Sequence, residues 1–226
     1  MPFDIKFALK LLPLMLKYLS VTLYMAIIAI AVGLVLAFFI ALIIHAKLPV
    51  VQRFFKIYIS FFRGTPLIAQ LFCVYFGVLP LLSSFALNVT STQAAIIVMS
   101  LNTSAYMAEA LRGALSSIDK GQMEASLSVG MTYMQAMRRI ILPQAFRVAV
   151  PALGNSFINT VKDTALTYSI GVKEIMAVAQ LEATARYRYL EAFIDILIFY
   201  WLITSILGAV QKRLEKRLNR MVGENT

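Results

Sequence analysis

The sequence predicts an all-α protein that crosses a membrane about five times. Three observations carry this. Sixty per cent of the 226 residues are hydrophobic. Only 14% are charged, against about a quarter in a soluble domain. Long stretches carry no charge at all, and no segment alternates apolar and polar residues over the roughly ten positions of a barrel strand. A chain with mean hydropathy +0.79 lacks the polar groups to cover a globule. Disorder, a collagen repeat and a nucleic-acid-binding domain are excluded together. At roughly 20 residues per span, the chain is one membrane domain, residues 1–226, with room for five or six spans.

The spans lie between charges. The 29 residues between Lys17 and Lys47 are uncharged and hold the first span, near Ser20–Ile44. It is too long for a cleaved leader, and no A-x-A site follows it. Its lack of a polar face suggests a peripheral, lipid-facing helix. The 45 uncharged residues between Arg63 and Glu109 hold two spans, Pro66–Leu82 and Gln93–Leu111. Pro80, Ser83, Ser84, Asn88 and Thr90 supply the turn between them. Thr65-Pro66 reads as N-cap and first helical residue of the second span. Only 14 uncharged residues separate Arg147 from Lys162, so the fourth span is short and suits a helix enclosed by protein. The fifth is Ala192–Val210.

The net charge is +10. Basic residues concentrate in the 47–56, 112–147 and 212–220 segments, which places these and the C-terminus in the cytoplasm. Five spans then put the N-terminus outside, and the lysines near it are the weak point of that orientation. Cys73 is the only cysteine and His45 the only histidine, so an intrachain disulfide, a thiolate metal cluster and a paired-imidazole site are excluded. The segment after Gly171 reads as an amphipathic outer-surface helix. Ile175, Val178 and Ala179 lie on one face, and Glu174, Glu182, Arg186 and Arg188 are polar.

Residues 116–142 are the most informative stretch. Asp119 followed by Gln122 reads as a capping box, and Thr132 followed by Gln135 as a second. A short helix near 120–129 should stop at Gly130, which is free to adopt positive φ. A second should run to about Ile141 and break at Pro143.

Glu124-Ala125-Ser126, three residues, Gly130, nine residues and Ile140-x-Leu142-Pro143 resemble the E-A-A-x3-G-x9-I-x-L-P loop. That loop is the signature of permease subunits of ATP-binding-cassette importers; Ser126 stands for the second alanine. Phe62-Arg-Gly-Thr-Pro-Leu-Ile-Ala-Gln-Leu-Phe72, Ser104-Ala-Tyr-Met-Ala-Glu-Ala-Leu-Arg-Gly113, Ser117-Ile-Asp-Lys-Gly-Gln122 and Lys162-Asp-Thr-Ala-Leu166 extend the resemblance from about residue 20 to 217. They are similar to polar-amino-acid uptake permeases of the histidine, glutamine, arginine and cystine type.

The resemblance implies a type I importer permease fold with five spans in a bacterial inner membrane. It implies a second permease subunit, two ATPase subunits and an extracytoplasmic binding protein, with ATP and magnesium used by the ATPase. It makes the first short helix of the loop a coupling helix, carried by Asp119, Gly121, Glu124, Ala125, Ser126 and Gly130. Small Ala125 and Ser126 would let the partner approach closely, and Glu124 would meet a positive group on it.

Polar residues inside apolar spans are costly and mark substrate paths. Asn102, Tyr106, Glu109 and Gly113 share one face of the third span, where Glu109 can also tie to Arg112. On the fourth, Ser156, Thr160 and Asp163 make one stripe, and Asn155, Asn159 and Lys162 its neighbour. Lys162 and Asp163 offer both signs that an amino-acid zwitterion needs. No G-x4-G-K-[ST] loop is present, so ATP hydrolysis falls to a separate chain and this chain is a transport subunit, not an enzyme. The rival reading is an ion-coupled secondary transporter. It predicts an internal repeat with interrupted helices in both halves, and neither is visible.

Overall fold

The apolar run after Lys17 belongs to one long helix, α1 (Ile5–His45), which starts well before the expected Ser20. A computed structural model describes residues 3–45, 49–82 and 88–220; Lys47 and the turn residues Ser83 and Ser84 lie outside these. All regular elements among the described residues are helical.

One face of α1 is not peripheral. Ala26, Ala29, Gly33, Ala37 and Ala41 recur every three or four residues, and all are buried. They pack on α5 (Ser91–Ser116), the most extensive helix pair in the structure. Small side chains let two backbones approach closely, which drives association where water cannot. The reading of α1 as wholly lipid-facing missed this, because alanine and glycine look as apolar as leucine in a hydropathy count. A Cβ on Gly33 would sit 3.2 Å from the Ser100 carbonyl oxygen and 3.4 Å from the Ser104 amide nitrogen. Backbone cannot give way as a side-chain tip can. Gly33→Leu should therefore force α1 and α5 apart, at about 1–3 kcal/mol for the overpacking. The expected result is a lower detergent-unfolding midpoint and poor yield, whereas Gly64→Leu, at a site with open space, should retain both.

The expected second span, Pro66–Leu82, follows a helix that the charge gaps did not mark. Between α2 (Pro49–Gly64) and the following limb the chain bends by 108°. That limb is α3 (Leu67–Phe72), a π-helical stretch Cys73–Val78, and α4 (Leu79–Leu82). Thr65 does not cap it. Pro66 holds the N-cap position, and the Thr65 hydroxyl donates backwards to the Phe61 carbonyl at 2.8 Å. A residue before proline is pushed towards extended backbone, so α2 ends here and Thr65 serves that end.

Thr90 caps α5 in a full capping box with Gln93, so the helix starts at Ser91, two residues before the expected start of the span. α6 (Lys120–Ser128) begins after Asp119, whose carboxylate accepts from the Gly121 N–H at 2.6 Å. The reciprocal half of that expected box does not form, because the Gln122 side chain turns to Gln144. The Thr132–Gln135 box forms as expected.

No break occurs at Pro143. α7 (Tyr133–Ala136) runs through a π-helical turn, Met137–Ile141, straight into α8 (Leu142–Asp163). A widened turn just before the proline accommodates the ring and the missing N–H that would otherwise end a helix.

A 3-10 turn, Thr164–Ile170, and Gly171 at φ 86° lead to α9 (Ile175–Arg186) and α10 (Tyr189–Arg220). α9 buries Ile175, Val178 and Ala179, as its pattern predicts. Glu174 departs from its assigned polar face and is fully buried. It caps α9, accepting from the Ala177 N–H (2.8 Å), the Tyr200 hydroxyl (2.9 Å) and the Thr22 hydroxyl (3.4 Å). Burial raises its carboxyl against the pull of these hydrogen bonds.

Three helices, α1, α5 and α10, are long and apolar enough to cross a membrane, or four spans if the bent pair counts as one. The remaining expected span, the short fourth one, falls on α8. At 22 residues it is about 33 Å long, but it carries the two polar stripes.

Candidate functional site

α5 and α8 pack side by side and turn polar faces towards each other. The Thr103 and Thr160 hydroxyls join them at 3.0 Å. Beside that bond lies a cavity of about 520 Å³, open on one side. α5 contributes Asn102, Thr103 and Tyr106; α8 contributes Ser156, Asn159, Thr160, Lys162 and Asp163. The bend at Thr65, Pro66 and Leu67 closes one wall, and Leu166 adds an apolar contact.

Of the ten residues that the sequence places on the polar faces of these two spans, seven meet in this cavity: Asn102, Tyr106, Ser156, Asn159, Thr160, Lys162 and Asp163. Their roles differ. Asn102 is nearly buried, and its amide donates to the Phe62 carbonyl (3.1 Å) and to Gln70 Oε1 (3.0 Å). Gln70 in turn donates to the Thr65 hydroxyl (2.8 Å) and to the Phe62 and Thr65 carbonyls (both 3.1 Å). These two amides satisfy the carbonyls that the α2–α3 bend leaves open, so Asn102 holds the cavity wall in place. Ser156 and Thr160 return hydrogen bonds to the Ala152 and Ser156 carbonyls. Tyr106 is 45% exposed and carries the Arg63 guanidinium over its ring, 5.6 Å from the centroid.

Lys162 is exposed and Asp163 half-buried at one end of the cavity. Neither forms an ion pair among the described residues. As neighbours on a helix they point in different directions, so each keeps room for a further partner. The second stripe also divides. Asn159 and Lys162 line the cavity, but Asn155 faces α10, where Gln211 Nε2 lies 3.5 Å from its Oδ1.

Glu109 lies outside the cavity. It is held by Arg112, whose Nε donates to Glu109 Oε2 at 3.0 Å and whose Nη2 donates to Oε1. The pair lines a second recess with Arg63 and Lys56.

Thr65, Thr103 and Gln70 were missed as site residues. Thr103 carried a signal, a hydroxyl beside Asn102 in an apolar span. Thr65 and Gln70 gain meaning only from the bend.

The loop forms a second functional surface. Gly130 takes φ 83°, and Met131 N–H closes back on the Ser126 carbonyl at 3.1 Å, a Schellman-type end. A Cβ on Gly121 would meet Asp119 Oδ1 at 2.8 Å, so the tight cap favours glycine there. Glu124 and Ala125 face outward. Ser126 does not. It is 7% exposed and donates inward to the Gln122 carbonyl at 2.6 Å, so its small size serves packing inside the loop rather than a partner's approach. Leu127, Val129, Tyr133 and Met134 are exposed around Glu124, an apolar rim that the sequence reading did not single out. Leu115, Met137, Ile141 and Ala145 form one core under the loop, with Met123 of α6 packed on it. The loop is thus fixed to the feet of α5 and α8, the two helices that line the cavity.

Long apolar helices around a polar cavity, with a helix–glycine–helix loop at their base, fit the membrane component of a transporter. The chain belongs to the family of binding-protein-dependent transport system inner membrane components, matched over residues 33–220. It is 49% identical to the probable amino-acid ABC transporter permease PatM of Vibrio harveyi, over 97% of this chain and 98% of that one. It is 33% identical to the glutamine transport system permease GlnP of Escherichia coli, over 96% and 99%. Among solved structures, a chain of an amino acid ABC transporter crystallised with histidines is 34% identical. It superposes with a TM-score of 0.87 over 96% of this chain and all of that chain. A chain of the MetNI methionine ABC transporter shares the fold at 20% identity, with a TM-score of 0.78 over 92% and 97%. Members of this family are transport components of the membrane and not enzymes.

Proposed function

We propose that this chain is the membrane-spanning permease subunit of an ATP-driven amino-acid importer and that the α5–α8 cavity lies on the translocation path. The carrying observation is a pair of opposite charges outside any ion pair among the described residues, Lys162 and Asp163, at the end of a polar cavity between α5 and α8. A zwitterion is matched by such a pair: ammonium to Asp163 and carboxylate to Lys162, with Tyr106, Asn159 and Ser156 offering hydrogen bonds. Exchange of partners keeps each charge satisfied, which keeps release possible. The relatives' amino-acid substrates support this reading. A second permease subunit would cover the open side of the cavity, and an extracytoplasmic binding protein would deliver the substrate.

In the same reading, a separate ATPase seats on the 116–142 loop. Glu124 and Ala125 meet it, the apolar rim surrounds them, and Asp119, Gly121, Ser126 and Gly130 set the shape. The loop and the C-terminus lie in the cytoplasm and the N-terminus outside, as the basic residues favour. One labelling experiment tests both parts. Ser128 is exposed on α6. Ser128→Cys, in a Cys73→Ala background, should resist an impermeant thiol reagent on intact cells and react after permeabilisation. Coexpression of the partner ATPase subunit should then protect it. Labelling of intact cells would overturn the orientation, and unprotected labelling would overturn the docking.

A further inference from the structure

The second recess, of about 590 Å³, lies between α2, the end of α1 and the lower half of α5. α2 is sharply two-sided. Val50, Phe54, Ile57 and Phe61 form one exposed apolar stripe. Gln52, Lys56, Ser60 and Arg63 form the polar stripe, and all four line the recess. A lipid-facing apolar stripe turns the polar one inward. Tyr58 fixes this arrangement: its hydroxyl donates to the Leu101 carbonyl at 2.9 Å and sits 2.7 Å from Ser104 Oγ on α5.

Across from Lys56 and Arg63 stand Glu109 and Arg112. The recess therefore holds three permanent cations and one carboxylate, with His45 at its rim. Arg112 has its partner in Glu109. Arg63 has no hydrogen-bonded acceptor among the described residues, only the Tyr106 ring beneath it. A guanidinium with five donors on a fork is suited to a carboxylate. Tyr106 is shared ground, since its ring lines the first cavity and carries Arg63 of the second. Further along the same α5 face, a Cβ on Gly113 would meet nothing within 4 Å, so the face continues into open space.

We infer that this recess is a second, release-side station for the amino acid. Its carboxylate docks on Arg63 with Lys56 nearby, and its ammonium shares Glu109 with Arg112. The inference rests on the import reading above. Stepping from Lys162 and Asp163 to Arg63 and Glu109, the zwitterion meets both signs at each stop, and Tyr106 marks the boundary. The net positive charge of the recess favours the carboxylate end.

The station predicts product inhibition from inside. Proteoliposomes carrying the whole complex, with binding protein outside, would import a radiolabelled mixture of the protein amino acids and cystine. The same mixture, unlabelled, would be preloaded at increasing concentration in the lumen, with ATP. Import should slow as the lumenal concentration rises. Arg63→Gln should raise the half-inhibiting concentration at least tenfold, Lys56→Gln two- to threefold, and Arg63→Lys should recover much of the wild-type value. Lys56 is exposed, so its variant remains informative if Arg63→Gln fails to fold. Absence of lumenal inhibition in the wild type, or inhibition unchanged in Lys56→Gln and Arg63→Gln, would overturn the station. Asp163→Asn separates the two readings. Reduced uptake there with unchanged inhibition in the recess variants removes the station alone. Normal uptake there with relieved inhibition in the recess variants removes the first cavity and leaves the station standing.

Discussion

Asp163→Asn should cut amino-acid uptake by the reconstituted complex at least tenfold, a loss of about 1.4 kcal/mol or more. The substitution keeps the shape and removes the charge. The half-buried carboxylate is the one anion lining the cavity, and it forms no ion pair among the described residues. An ammonium arriving there replaces water around a charge already in place, so loss of the charge removes an attraction that the amide cannot restore. The binding protein's affinity should stay as it was, because that protein is a separate chain. Initial uptake rates at saturating binding protein give the measurement. Normal uptake would reduce Asp163 to a helix-end charge in water and take the first station away from it.

Glu124→Lys and Gly130→Pro should each abolish the stimulation of ATP hydrolysis by loaded binding protein, by at least tenfold, while the chain still inserts. Gly130 holds φ 83°, which proline cannot reach, and its N–H donates to the Leu127 carbonyl at 3.0 Å. The variant reshapes the end of α6 without touching a membrane helix. Glu124 is exposed and its carboxylate has no hydrogen-bonded partner in the chain among the described residues. Reversing its charge therefore costs this subunit little, whereas like charges facing each other across an interface cost several kcal/mol. Membrane content by immunoblot and stimulated hydrolysis in proteoliposomes separate coupling from folding. Full stimulation in both variants would remove the loop from the coupling path.

The features legible in the sequence are those whose physics is local. The Thr132–Gln135 box, the positive φ at Gly130 and the Glu109–Arg112 tie all act within a turn or two of chain. The two α8 stripes were legible because helical period alone puts Ser156, Thr160 and Asp163 on one face. What escaped depends on distant partners. Glu174 looks like a surface acid until Thr22 and Tyr200 are brought to it from other helices. The α1 alanine stripe looks lipid-facing until α5 is laid against it. The bend at Thr65 follows from Pro66, but its repair by Gln70 and Asn102 joins two helices and has no mark in either segment. Pro143 misled because a proline is expected to end a helix, and a π turn placed just before it lets the helix continue.

That continuity makes a lever. From Tyr133 to Asp163 the chain runs as a single rod of about 46 Å at 1.5 Å per residue. The foot of the rod stands in the loop and its tip carries Lys162 and Asp163. Near its middle, Gln211 of α10 grips the Pro151 carbonyl at 3.0 Å, a natural fulcrum. A tilt of roughly 10° about that point swings the foot by about 5 Å and the tip by about 3 Å in opposite senses, the tip by as much as the 2.7–3.2 Å span of a hydrogen bond. A push of a few ångströms at the foot is therefore enough to open or close contacts at the tip, with no part of the helix having to unwind.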